Sequence, residues 1–130
     1  MMHVILVLLA AAPRGGYAGS GRVLTSTFSI VAADTLTGEY GVAVASKVLD
    51  VGYIVPWGEP GAGAVATQAQ TNAMFGPDGV RLLADGLTAQ EAMQVLLESD
   101  PDREVRQLGM VDGYGGSASF TGSETMDWAG

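Results

Sequence analysis

Apolar and polar positions alternate with a period of two along most of this chain and switch to a helical period in one interval. In Thr27 to Ala33, Phe28, Ile30 and Ala32 fall on one face and Thr27, Ser29 and Val31 on the other, which is the pattern of a strand. Asp34-Thr35-Leu36-Thr37-Gly38-Glu39 then supplies turn chemistry, an Asp side chain for a cap and a Gly for positive φ. Tyr40 to Ser46 alternates again, with Val42 and Val44 on one face and the small Gly41, Ala43 and Ala45 on the other. Together these segments predict an antiparallel hairpin at the centre of a sheet, with a small-residue face that another layer can approach closely. Val51 to Trp57 reads as a third extended segment, stopped by Pro56 and the Gly58-Glu59-Pro60-Gly61 turn. Gly63 to Ala69 reads as a fourth, ending in the polar pair Gln68 and Gln70 with Asn72 just beyond.

The period then changes. Pro77 suits a first helical turn, Val80, Leu83 and Ala84 share a face, and Gly86 is a good stop. Thr88 predicts an N-cap with Glu91 completing a capping box. Ala89, Ala92, Met93, Leu96 and Leu97 follow the spacing of a buried helical stripe, with the Met93 and Leu97 face inward. Val105 to Val111 returns to strand, Asp112 to Gly116 is a glycine-rich turn, and Ser117 to Thr121 is its expected partner. Strands, then two helices, then strands imply an α+β layered domain and not a doubly wound sheet, which would alternate.

Composition narrows the chemistry. At 130 residues the chain is long enough for one domain, and 48% apolar against 15% charged residues is a globular balance. The net charge of −8 excludes the basic footprint that nucleic-acid binding needs. No cysteine is present and the one histidine is His3, so thiolate nucleophiles, Cys-ligated metals, a His-based catalytic triad and the usual zinc sites are excluded from the body of the chain. No cofactor and no metal are implied. Gly61-Ala62-Gly63-Ala64-Val65-Ala66 fits a GxGxxA spacing, but it follows a Pro-Gly turn and enters a strand, the wrong context for dinucleotide binding.

Val4 to Ala12 is an apolar run too short to span a bilayer and suited to the core of a signal peptide, with Gly16-Tyr17-Ala18 offering small residues at a cleavage site. The expected organisation is therefore a signal peptide over 1–18, a short linker over 19–26 and a domain over 27–130, with export to the periplasm or medium and no membrane span in the mature chain. The abrupt stop at Trp128-Ala129-Gly130 reads as a truncation.

Thr27-Phe28-Ser29-Ile30-Val31-Ala32 followed by Gly41-Val42-Ala43-Val44-Ala45-Ser46-Lys47 resembles the opening of the domain-of-unknown-function family 1028. The resemblance continues through Val55-Pro56-Trp57, Gly63-Ala64-Val65-Ala66-Thr67-Gln68, Arg106-Gln107, Val111-Asp112, Phe120-Thr121-Gly122 and Trp128-Ala129-Gly130. That family is grouped with the Ntn hydrolases, so the resemblance implies an α-β-β-α sandwich of antiparallel sheets between helical layers. Family members continue past the Trp-Ala-Gly point, so the sandwich here is expected to be incomplete, with an exposed sheet edge. The resemblance also implies a nucleophile whose own α-amine serves as base, a mechanism that needs no histidine. Thr27 is the first candidate nucleophile and Ser26 the alternative. Lys47, the only lysine, follows the second hairpin strand, where a cation would lower the pKa of that amine or hold a substrate carboxylate. Gln68 and Asn72 are candidate donors to an oxyanion or substrate. Asp112 is a candidate substrate contact that equally reads as the cap of its own glycine turn. The expected partner is a small amide or peptide substrate, with self-association into a homo-oligomer left open. A non-catalytic binding domain at the cell envelope and an inactive fragment are the alternatives.

Overall fold

Val31 and Ala33 of one sheet meet Ala64, Ala66 and Val111 of another, and that contact organises the molecule. The structure, a computed structural model, describes residues 4–11 and 27–125, the former as backbone course only. Strands β1 (Val4–Ala11), β2 (Thr27–Asp34) and β3 (Glu39–Ser46) form one antiparallel sheet in that order. Strands β4 (Pro56–Glu59), β5 (Gly63–Ala69), β6 (Arg106–Asp112) and β7 (Ser117–Thr121) form a second. Helices α1 (Phe75–Ala84) and α2 (Ala89–Ser99) pack on the far face of the second sheet. The fold is α+β, as the element order implies.

Alternation explains the layers. On β2, Ser29, Val31 and Ala33 are buried between the sheets, and Phe28 on the opposite face is 49% exposed. On β3, Tyr40, Val42 and Val44 line the inter-sheet core, while Gly41, Ala43 and Ala45 face outward and are exposed. Sheet two is covered on both sides. Ala64 and Ala66 face the first sheet, and Val65, Leu108, Met110 and Ala118 face the helices. The described residues therefore give three layers, with helices on one side only, and the outer face of β2 and β3 carries none of the described helices.

The hairpin of β2 and β3 pairs from Thr27 opposite Ser46 to Asp34 opposite Glu39, with β2 at the centre of its sheet. Asp34 caps the turn by accepting from the Leu36 amide at 2.9 Å. The capping box of α2 forms as well. The Thr88 hydroxyl accepts from the Glu91 amide, and the Glu91 carboxylate accepts from the Thr88 amide. That amide is also the main reason the Glu91 pKa lies below its ordinary value. Gly86 ends α1 at φ +95°, a left-handed conformation that a side chain resists.

Three local expectations need correction. Val51 to Trp57 is not one extended segment. Val51–Tyr53 turns in a 3₁₀ helix, and the strand begins at Pro56 and continues to Glu59. The turn chemistry of Asp50 and Gly52, with Asp50 itself at φ 59°, outweighs the apolar content of the stretch. Ala84, one turn beyond Val80 at the C-terminal end of α1, is exposed and does not join the core. Leu97 is half-buried, and Leu96 beside it fills the core position. Val4–Ala11, within the apolar run whose pattern suits a signal-peptide core, lies along β2 as strand β1, in register from Val4 opposite Asp34 to Ala11 opposite Thr27. Among the described residues no helix is long and apolar enough to cross a membrane.

Gly76 fixes how α1 sits. A Cβ there would overlap the Trp57 indole, so only glycine lets the helix settle on the ring. The ring is anchored in turn, since Trp57 Nε1 donates to the Ile54 carbonyl at 2.9 Å.

Candidate functional site

The inner face of β2 is apolar at Val31 and Ala33 and polar at its start, where Thr27 and Ser29 share that face. Beneath it, Gln68 continues the inward row of Ala64 and Ala66 on β5, and pairs across the ladder with Gln107 on β6. Gln107 pairs in turn with Thr121 on β7. The registers alone therefore bring five polar side chains to one end of the sandwich.

They are joined without a gap. Ser29 Oγ donates to Gln68 Oε1 at 2.7 Å. Gln68 Nε2 donates to Gln107 Oε1 at 2.7 Å and to the Thr27 carbonyl at 3.2 Å. Gln107 Nε2 donates to Thr121 Oγ1 at 3.0 Å. Ser29, Gln68 and Gln107 are each at most 2% exposed. Burying two carboxamides is tolerable because each is satisfied by its neighbours.

Thr27 lies at the solvent side of this network. Its Oγ1 is 3.0 Å from the Ser46 Oγ directly opposite on β3, and either hydroxyl can be the donor. Ser46 Oγ also accepts from the Val48 amide at 3.1 Å, which fixes its rotamer. The Thr27 hydroxyl is thus half-buried, oriented by one partner, and anchored through its own carbonyl.

The remaining sequence candidates fall in several places. Lys47 follows Ser46 and is exposed at the same end as Thr27. Ser26 lies outside the described residues. Gln68 is next to Thr27, but both hydrogens of its amide are engaged within the protein, so it holds Thr27 in place. Asn72 sits beyond β5, donating from Nδ2 to Asp100 Oδ2 at 3.1 Å and accepting at Oδ1 from the Met74 amide. Asp100 is 5% exposed and also receives Arg106 Nε at 2.9 Å. Arg106, with Asn72 and the Asp102 amide assisting against the cost of burial, holds the Asp100 carboxyl at a pKa of about 2. Asp112 is at the opposite end of β6 from Gln107, roughly 16 Å away along the strand. Its carboxylate accepts from the amides of Ala89, Tyr114 and Gly116 at 2.7–2.9 Å, so it ties the β6–β7 turn to the start of α2.

Ser29, Ser46, Gln107 and Thr121 were not singled out from sequence. The available signal was a polar residue on the inward face of an apolar strand, which Ser29 carries, but the partners depend on register between segments far apart in the chain. A cleft of about 670 Å³ is elsewhere too. Tyr40, Val42, Pro56, Gly58 and Ala64 line it toward the turn end of the hairpin, with Val42 four and Tyr40 six strand positions from Thr27.

Comparison with known proteins agrees with this layout. The model of a family of unknown function, DUF1028, matches residues 27–130. The crystal structure of protein SPO2555 from Silicibacter pomeroyi, assigned to that same family model, is 28% identical and superposes with a TM-score of 0.60 over 93% of this chain. The chain spans 48% of that protein's length. No curated protein matches.

Proposed function

The chain belongs to the family of unknown function DUF1028, and on that premise we propose that it is an N-terminal-nucleophile-type amide hydrolase whose nucleophile is Thr27. The observation that carries the reading is the Thr27–Ser46 hydroxyl pair at 3.0 Å, set where β2 begins and braced by Gln68 on the Thr27 carbonyl. A hydroxyl at a strand start, oriented and backed by a rigid buried network, is the arrangement that attack on a carbonyl requires. The resemblance to Ntn hydrolases implies the α-amine as the base this hydroxyl needs, a mechanism that requires neither cysteine nor histidine.

The chemistry requires scission of the Ser26–Thr27 peptide bond. The freed amine takes the proton from Oγ1 as the oxygen attacks the amide carbon of a small amide or peptide substrate. Collapse of the tetrahedral adduct expels the amine, which leaves with that proton, and water then cleaves the threonyl ester. Ser46 keeps Oγ1 oriented in both steps. Lys47 adds positive charge at the same end, favouring the neutral amine and a substrate carboxylate. Scission would come after export, with residues 1–18 as the export signal. Removal of that segment would also take β1 from the edge of β2.

The test is hydrolysis of a panel of small amides by a chain beginning at Thr27. Activity should rise with pH through the pKa of an α-amine, roughly 7.7–8.0, because the amine must be neutral to accept the proton. A chain beginning at Gly19 should be inactive. Equal activity of the two chains would contradict the α-amine mechanism, and no activity in either would leave the second reading, a binding domain. That reading is favoured by the 670 Å³ cleft lying away from Thr27.

A further inference from the structure

β3 is the free edge of its sheet among the described residues, and its sequence is self-complementary. Edge strands are ordinarily guarded by proline, inward charge, a bulge or short length. β4, at the corresponding edge of the second sheet, is four residues long, begins with Pro56 and is followed by Pro60. β3 has eight residues, and Tyr40 to Ser46 contains neither a proline nor a charge. Charge stands only at its two ends, Glu39 at the start and Lys47 one residue past the finish, both exposed.

We propose that β3 is the interface of a two-fold symmetric dimer, in which the β3 strands of two copies of this chain pair antiparallel about Ala43 and join two sheets into one. With Ala43 on the axis, Glu39 lies opposite Lys47, Tyr40 opposite Ser46, Gly41 opposite Ala45, and Val42 opposite Val44. Each pair occurs twice and both members of each share a face of the sheet, as directly opposed residues must. Moving the axis to Val42 sets Glu39 against Ala45, and moving it to Val44 sets Glu39 against Leu49. Only the Ala43 register unites the charges. The outer members, Gly41, Ala43 and Ala45, are small and clear the approach, while the half-buried Val42 and Val44 lose their remaining exposure. The ion pairs choose the register and the strand ladder supplies the association. A contact this small makes the dimer weak and concentration-dependent. The partner is a second copy because the matching charges come from the same strand, an isologous pattern. The inference stands independently of the hydrolase reading.

The experiment measures mass by sedimentation across a concentration series, with crosslinking of single-cysteine variants of this otherwise cysteine-free chain. Ala43→Cys should give a disulfide-linked dimer on oxidation, because opposed residues lie roughly 4.5–5.5 Å apart at Cβ. Ser119→Cys on β7 should not. Glu39→Lys and Lys47→Glu should each lower the dimer fraction at a given concentration several-fold, and the double variant should restore it. All these positions are exposed, and unchanged circular dichroism and thermal unfolding check that the variants fold. A monomer at every concentration would overturn the proposal. So would a dimer that Ala43→Cys does not crosslink and charge reversal does not weaken.

Discussion

Ser29 on β2 and Gln68 on β5 hydrogen-bond across the two sheets at 2.7 Å, and both are almost fully buried. Ser29→Ala leaves Gln68 Oε1 without that donor inside the core, which should destabilise the domain by about 1–3 kcal/mol. Gln68→Leu should cost at least as much, since it also removes the donor to Gln107 Oε1 and to the Thr27 carbonyl. Urea unfolding of the two single variants and the double variant measures this. Because the two side chains share one hydrogen bond, the double variant should lose less than the sum.

Leu96 and Leu97 separate the core from its rim. Leu96 is 3% exposed within the helix–sheet core and Leu97 only packs against it. Leu96→Ala should cost about 2–5 kcal/mol and Leu97→Ala clearly less. Thermal or urea unfolding that ranks the two in the opposite order would mean that α2 is rotated from its position in this fold.

Asp100 should give the domain an acid-sensitive latch between α2 and β6. Its pKa is held down from 3.8 to about 2, chiefly by the Arg106 hydrogen bond. A carboxyl with a folded-state pKa below its unfolded value contributes stability that is complete above pH 3.8 and is lost as pH falls through about 2. The slope of stability against pH in that window should flatten in Asp100→Asn. That variant should also lose about 1–3 kcal/mol at neutral pH, because Arg106 keeps only the Gln70 carbonyl at 2.7 Å and the exposed Asp102 carboxylate at 3.7 Å.

Gly76→Ala is expected to destabilise more than any other exchange of glycine for alanine within α1. Alanine favours helix by about 1 kcal/mol, but its Cβ would overlap the Trp57 ring. A net loss of stability, with red-shifted tryptophan emission marking displacement of the Trp57 ring toward water, is the expected result. A net gain would mean that the helix can lift without cost.

Much of the fold was legible because its signals are local. The β2–β3 hairpin followed from alternation and the Asp34 turn, and α2 from its capping box and apolar stripe. The span Gly63–Ala69 was read to the residue because glycine and polar residues bound it on both sides. The Val51–Tyr53 turn was missed, since short apolar stretches read as strand until the backbone places Asp50 in a left-handed conformation. The site was only half legible. Thr27, Gln68 and Lys47 could be picked out by type and by family resemblance, and they do come to one end of the sandwich. Asp112 could not be separated from a substrate contact until its three backbone donors were seen. Ser46 and Gln107 matter through pairing partners 19 and 39 residues away in the chain, which no local pattern specifies.

The nucleophile assignment is most directly tested by intact-mass and peptide mapping of a chain that begins at Thr27, after exposure to a hydroxyl-directed electrophile such as a β-lactone. A single covalent adduct on Thr27 is expected, absent in Thr27→Ala and retained at a lower rate in Thr27→Ser, with circular dichroism unchanged in both. A folded chain with Thr27 at its N-terminus that takes no label there, or takes it equally in Thr27→Ala, would contradict the assignment.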